Sequence, residues 1–147
     1  MLRSRRLAVV LTLEERKEHE ALEALAAARQ KVEAQQQQIN DLNRYQQEYR
    51  NQIRENQQGV VSVTRLQAWQ AFIAQLDQVL RHQQKQLEQL EQRLNDARKH
   101  WQSAWERRRG MEKYIETCQR QEQRELDQKE QKYADEAAGR AFARRRN

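Results

Sequence analysis

The chain has 147 residues and a net charge of +6, with 37% hydrophobic and 34% charged residues. It contains no proline and only three glycines, so it does not fit the disordered class, which is usually rich in both. Most of its other residues are Ala, Leu, Gln, Glu, Arg and Lys, which are good helix formers. Its single cysteine excludes an intramolecular disulfide framework. The composition therefore favours long exposed helices over a compact core.

The first residues combine basic and apolar side chains. Arg3, Arg5 and Arg6 precede the apolar run at residues 7–13, an order that also opens secretory signal peptides. Because the run is short and no small-residue cleavage site follows, we interpret it as the start of a helix. No stretch approaches the ~20 apolar residues of a membrane span, and we expect a cytoplasmic protein.

Helix one is expected over about residues 5–57, with a weak heptad repeat whose a and d positions form the seam of a coiled coil. Its apolar seam residues are concentrated between Ala21 and Ile53. The a positions are Leu11, Glu18, Leu25, Val32, Ile39, Gln46 and Ile53, and the d positions are Glu14, Ala21, Ala28, Gln35, Leu42, Tyr49 and Asn56.

A break at residues 58–64 separates the two halves of the chain. Gly59 can adopt the left-handed conformation that ends many helices, and Ser62 or Thr64 can cap the helix that follows. So short a break predicts an antiparallel connection between two neighbouring helices.

Helix two is expected over about residues 65–138, with a stronger repeat in which fourteen of eighteen seam positions are apolar. Arg108 interrupts the seam, and we expect a looser helix there. The repeat is lost after Cys118, and a basic tail at 139–147 should follow the helix. The a positions are Leu66, Ile73, Leu80, Leu87, Leu94, Trp101, Arg108, Ile115 and Glu122, and the d positions are Trp69, Leu76, Gln83, Leu90, Ala97, Ala104, Met111, Cys118 and Glu125.

Apolar residues also occupy g positions, where charge is usual. Tyr45 lies 14 residues before Gly59 and Phe72 lies 13 after it, so an antiparallel turn brings the two rings to the same side of the seam. Clustered exposed aromatic residues usually mark interaction sites, although rings at g can also fold over a seam and widen it. The expected apolar patch consists of Gln38, Leu42, Tyr45, Tyr49, Phe72, Leu76, Val79 and Gln83.

Sequence signals for catalysis are missing. There is no Gly-rich phosphate loop, no HExxH and no paired cysteine spacing for a metal. His19, His82 and His100 are scattered, and a two-helix rod offers no concave core to a substrate. We expect no enzymatic activity, no cofactor and no small-molecule substrate. Nucleic acid is not an expected partner either, because the aromatic residues do not interleave with arginine.

The stretches YQQEYR at 45–50 and WQAFIAQLDQVL at 69–80, joined through a glycine-containing turn, resemble the flagellar export protein FliJ family. The resemblance covers nearly the whole chain and is strongest between Gln38 and Gln83. It agrees with the all-α fold expected above, a long two-helix antiparallel coiled-coil hairpin forming one domain. It implies a non-enzymatic stalk of the flagellar type III export apparatus, similar to the γ subunit of rotary ATPases.

The resemblance also implies partners. The two termini would enter the ring of the hexameric export ATPase, and the hairpin would contact the cytoplasmic domain of the export-gate protein FlhA and assist export chaperones. The protein would be cytoplasmic and reach the inner membrane export apparatus only through these partners. The family's gate-binding surface falls on the apolar patch, with departures at Val79 and Gln83. We expect the ring contact at Leu7, Val10, Leu11, Arg140, Arg144, Arg145 and Arg146.

Two alternatives remain at this point. The equivalent stalk of a virulence type III secretion system has the same hairpin. A generic cytoplasmic coiled-coil scaffold would self-associate through its seam at micromolar concentration, whereas the stalk hypothesis predicts a monomer. Sedimentation across concentrations separates these hypotheses.

Overall fold

A computed structural model of the chain describes residues 2–56, 59 and 61–146. Helix α1 spans Arg3–Asn56 and helix α2 spans Val63–Arg146, and the described residues contain no strand. The two helices pack against each other in opposite directions, which confirms the all-α antiparallel hairpin. Residue 1, residue 57 at the expected end of helix one, residues 58 and 60 of the expected turn, and residue 147 of the expected tail lie outside the described residues. Within the described part of the chain, neither helix could cross a membrane.

The start of α2 is fixed by a serine cap. The Ser62 hydroxyl oxygen accepts a hydrogen bond from the backbone N–H of Arg65 at 3.2 Å, which satisfies one of the unpaired donors of the first turn. Gly59 does not adopt the left-handed conformation that its sequence position allows, since no described glycine has a positive φ.

The end of α2 includes the basic segment that we expected to follow the helix. The helix continues to Arg146, and residues 139–146 are helical. Ala137, Ala138, Ala141 and Ala143 favour this conformation, since alanine has the highest helix propensity. The last turn holds Arg144, Arg145 and Arg146, whose charges interact favourably with the negative end of the helix dipole.

The chain divides into two compact units, and each contains a part of both helices. The first is Ala21–Trp101. Its most buried side chains lie at the predicted a and d positions, so the seam is confirmed in this unit. They are Ala21, Leu25 and Ile39 of α1, and Leu87 and Leu94 of α2.

Polar side chains also cross the seam of this unit. The Nε2 of Gln35 donates to the backbone oxygen of Gln83 at 3.0 Å and to its side-chain Oε1 at 2.6 Å. Gln46 is buried, and its Nε2 donates to Oδ1 of Asp77 at 2.6 Å. Each pair satisfies polar groups that would otherwise be desolvated without a partner.

The second unit is Met1–Glu20 with Gln102–Asn147. Ala104, Ile115 and Cys118 of α2 are buried at predicted seam positions, which confirms the repeat here as well. Beyond Glu122, every residue from 123 to 146 is exposed. The predicted loss of the seam after Cys118 is therefore confirmed, and the last part of α2 is held by helix propensity.

An ionic group, not a loosened helix, occupies the seam at Arg108. The Nε of Arg108 donates to Glu18, which occupies a seam position of α1, and Nη1 donates to Glu112 at 2.6 Å. Glu112, with a contribution from Glu18, raises the pKa of Arg108 above its ordinary value. The expectation of a looser helix was wrong because Glu18, the polar seam residue of α1, pairs with the polar seam residue of α2.

The first turn of α1 is capped by a side chain from α2. Both the hydroxyl and the backbone N–H of Ser4 donate to the carboxylate of Glu122, at 2.7 and 3.0 Å. The first turn of α1 has no acidic residue of its own, so Glu122 supplies the negative charge that this end of a helix favours. These two bonds, the hydroxyl first, lower the pKa of Glu122.

Candidate functional site

Three aromatic rings from the two helices meet within the unit Ala21–Trp101. Phe72 of α2 lies against Tyr49 of α1, with ring centroids 4.6 Å apart and ring planes inclined by 58°. Tyr45 meets the same Phe72 ring edge to face, at 6.5 Å and 76°. Both geometries are among those that aromatic pairs prefer. The predicted approach of Tyr45 to Phe72 is therefore confirmed.

The two tyrosines differ in exposure, as their heptad positions predict. Tyr49, at d, is half-buried, whereas Tyr45, at g, is 50% exposed. Tyr45 does not fold into the seam, since half of its surface remains exposed. Its ring contacts Phe72 on one side.

The other members of the predicted patch differ in how much of each side chain is exposed to solvent. Leu42 and Leu76 are half-buried at d positions, and Val79 is 41% exposed at g. Gln38 is exposed. Gln83 is half-buried and its side-chain oxygen accepts the bond from Gln35, so its amide is already engaged across the seam. Apolar exposure in this surface therefore comes mainly from Tyr45 and Val79.

Two carboxylates flank Tyr45 and were not singled out from the sequence. Asp41 precedes it by four residues and Glu48 follows it by three, the spacings that place side chains next to each other on a helix. Both are exposed. Asp41 accepts a bond from Gln37 at 3.0 Å and lies 3.9 Å from Arg44. The spacing alone could have identified these residues as neighbours of the patch.

The residues predicted to contact the ATPase ring differ from one another in their exposure to solvent. Leu7 and Leu11 are half-buried, and Val10 is 37% exposed. More exposed apolar side chains near them, Val9 and Leu13, were missed by the sequence analysis. The four arginines of the predicted contact, Arg140, Arg144, Arg145 and Arg146, are all exposed.

Among the described residues, no three His, Cys, Asp or Glu side chains are grouped so that they could hold a metal ion. The apolar patch is an open surface on two helices and offers side chains suited to contact with another protein. Aromatic side chains with restricted freedom provide a large contact area at a low cost in conformational entropy.

Comparison with known proteins identifies one family. No curated protein and no solved structure matches the chain. The sequence profile described as flagellar FliJ protein matches residues 3–147, essentially the whole chain, which confirms the resemblance found in the sequence. The chain therefore belongs to the flagellar FliJ protein family and is in general a stalk component of flagellar type III export.

Proposed function

We propose that this chain is a non-enzymatic stalk that links the hexameric export ATPase to the cytoplasmic domain of the gate protein FlhA and assists export chaperones. The gate would dock on the apolar patch defined above. The protein would act in the cytoplasm and reach the inner membrane export apparatus through these partners. Family membership supports the general export role, and the arrangement of the patch supports docking.

The observation that carries the docking proposal is the exposed Tyr45 ring supported by Phe72. Tyr45 is 50% exposed and already packs against Phe72, so it offers apolar area to a partner without a large loss of rotamer freedom on binding. Its support comes from the opposite helix, so the docking surface exists only when the hairpin is formed. Residues of this kind, aromatic and centrally placed, dominate binding energy at many protein interfaces.

The test is binding to the purified cytoplasmic domain of FlhA from the same organism. The wild-type chain is compared with Tyr45→Ala/Phe72→Ala by surface plasmon resonance, after circular dichroism shows equal helix content. Removing two interface anchors should weaken binding by at least about 30-fold, which corresponds to about 2 kcal/mol. Tyr45→Ala alone, an exposed change with little effect on the seam, should weaken binding in the same direction.

Leu22→Ala/Val63→Ala provides the matched control. Both of these apolar side chains are exposed, at 47% and 69%, and both lie in the same unit outside the patch. The control should bind as the wild type does. Equal binding by the wild type and the aromatic double variant, or equal loss in the control, would show that Tyr45 and Phe72 do not form the gate-binding surface.

For the ATPase ring we propose contact through Leu7, Val10, Leu11 and the arginines of the last helical turns. The exposed charge of Arg140, Arg144, Arg145 and Arg146, with no acidic residue after Glu136, suits an acidic protein surface. Replacing the last three arginines by alanine should reduce stimulation of the ATPase, while Lys129→Ala/Lys132→Ala should not. Unchanged ring assembly and stimulation after deletion of residues 1–12 and 140–147 would refute this contact.

A further inference from the structure

Charge is separated between the two flanks of the hairpin near the aromatic rings. On the flank that carries Tyr45, α1 presents a row of carboxylates at seven-residue spacing, and all three are exposed. The acidic row consists of Asp41, Glu48 and Glu55. It follows the c positions, which lie directly outside the g positions on a helix.

The facing flank of α2 carries no carboxylate over the same length, and its one charged residue, Arg65, is exposed at the g position seven residues before Phe72. The neighbours of Phe72 and Val79 at three- and four-residue spacing are Ala68, Gln75 and His82. The patch therefore has an apolar centre, a border on α2 that is neutral beside Phe72 and Val79, and an acidic border on α1. This acidity contrasts with the chain as a whole, whose net charge is +6.

The opposite flank shows that the separation is local. There, over the same length of α1 and α2, the b and e positions hold Arg50, Arg54 and Arg81, with Asp77 as the acidic member. Asp77 already accepts the bond from Gln46. On the patch side, Arg44 lies 3.9 Å from Asp41, and this exposed pair offsets only part of the charge of the row.

We infer that the partner of the apolar patch presents an apolar pocket bordered on one side by lysine or arginine, which would face the acidic row. This inference rests on the proposed docking function and adds the charge and orientation of the partner's surface. The apolar centre receives the rings, and the acidic row fixes which way round the partner sits. Complementary charges at the edge of an interface mainly increase the association rate and suppress wrong orientations.

The test is Asp41→Lys/Glu48→Lys/Glu55→Lys, assayed by surface plasmon resonance against the same FlhA domain. Because border charges steer the encounter, the association rate should fall about tenfold at about 50 mM salt and less than about twofold at about 500 mM, with little change in dissociation rate. Tyr45→Ala/Phe72→Ala should show the opposite pattern, a faster dissociation that is insensitive to salt.

The control variant is Glu33→Lys/Glu88→Lys/Glu91→Lys, with the same change in net charge on the other flank, where all three residues are exposed. It should associate at the wild-type rate. Equal association rates of the two charge variants would overturn the acidic-row inference. The docking proposal would stand in that case if the aromatic variant still dissociates faster than the wild type. Absence of binding by the wild type would overturn the docking proposal and the partner's charge with it.

Discussion

Gln46→Glu tests whether the polar pair in the seam stabilises the hairpin. Gln46 is 8% exposed and donates to Asp77 over 2.6 Å. A hydrogen bond to a charged group contributes about 1.5–3 kcal/mol, and the variant replaces the donor by a second carboxylate of nearly the same shape. We expect the free energy of unfolding at pH 7 to fall by at least about 2 kcal/mol, which lowers the Tm by about 4–8 °C for a chain of this size.

The pH dependence of this loss identifies its cause. Two facing carboxylates disfavour each other's charge, so the pKa of the pair is raised in the folded state above its unfolded value. The folded variant then binds more protons than the unfolded variant, and its stability relative to wild type rises as the pH falls. Thermal unfolding followed by circular dichroism at pH 7 and at about pH 4 should show the deficit shrinking.

Gln47→Glu is the matched control. Gln47 is the next residue and is exposed, and the hydrogen bond described for its side chain goes to Asn51, one helical turn further on, at 3.2 Å. Its Tm should stay close to that of wild type, because exposed substitutions usually change stability by less than about 0.5 kcal/mol. The reasoning fails if both variants melt alike at pH 7, or if the deficit of Gln46→Glu is the same at both pH values.

Two further predictions concern the seam and the first turn of α1. Leu87→Ala should lower the free energy of unfolding, measured by denaturant titration, by about 2–5 kcal/mol, because Leu87 is 3% exposed. Leu126→Ala, at a position that is 49% exposed, should change it by less than about 0.5 kcal/mol. In Ser4→Ala, carboxyl NMR titration should show the pKa of Glu122 returning towards its ordinary 4.5. Since the folded pKa lies below the unfolded one, Ser4 stabilises the chain above about pH 4.5 and the effect disappears as the pH falls through the folded pKa. Equal stability curves of wild type and Ser4→Ala from pH 3 to pH 7 would contradict this.

The hairpin and its seam could be predicted because a two-helix fold has one long interface with one period. Residues such as Leu25, Leu87 and Ile115 are apolar at a or d, and burial at these positions follows from the period. The aromatic patch could be predicted for the same reason, since Tyr45 and Phe72 lie at nearly equal distances from Gly59. Counting residues from the turn then determines which side chains meet.

The polar contacts in the seam were not predicted, because heptad patterns record only whether a side chain is apolar. Glu18 and Arg108 each looked like a defect on its own helix, and only their contact across the hairpin explains both. Ser4 and Glu122 lie 118 residues apart, so no local motif connects them. Helix two was expected to end at about residue 138, whereas it continues to Arg146, where Ala141 and Ala143 favour the helix.

The polar pairs in the unit Ala21–Trp101 have a mechanical consequence. Sliding one helix along the other by a single heptad, about 10.5 Å at 1.5 Å per residue, would still place apolar residues opposite apolar residues over much of the seam. The same shift would break the bonds from Gln35 to Gln83 and from Gln46 to Asp77 at once, and it would leave the buried amide of Gln46 without its partner. Within this unit the two pairs therefore favour one axial register of the two helices over the registers that the apolar repeat alone would allow.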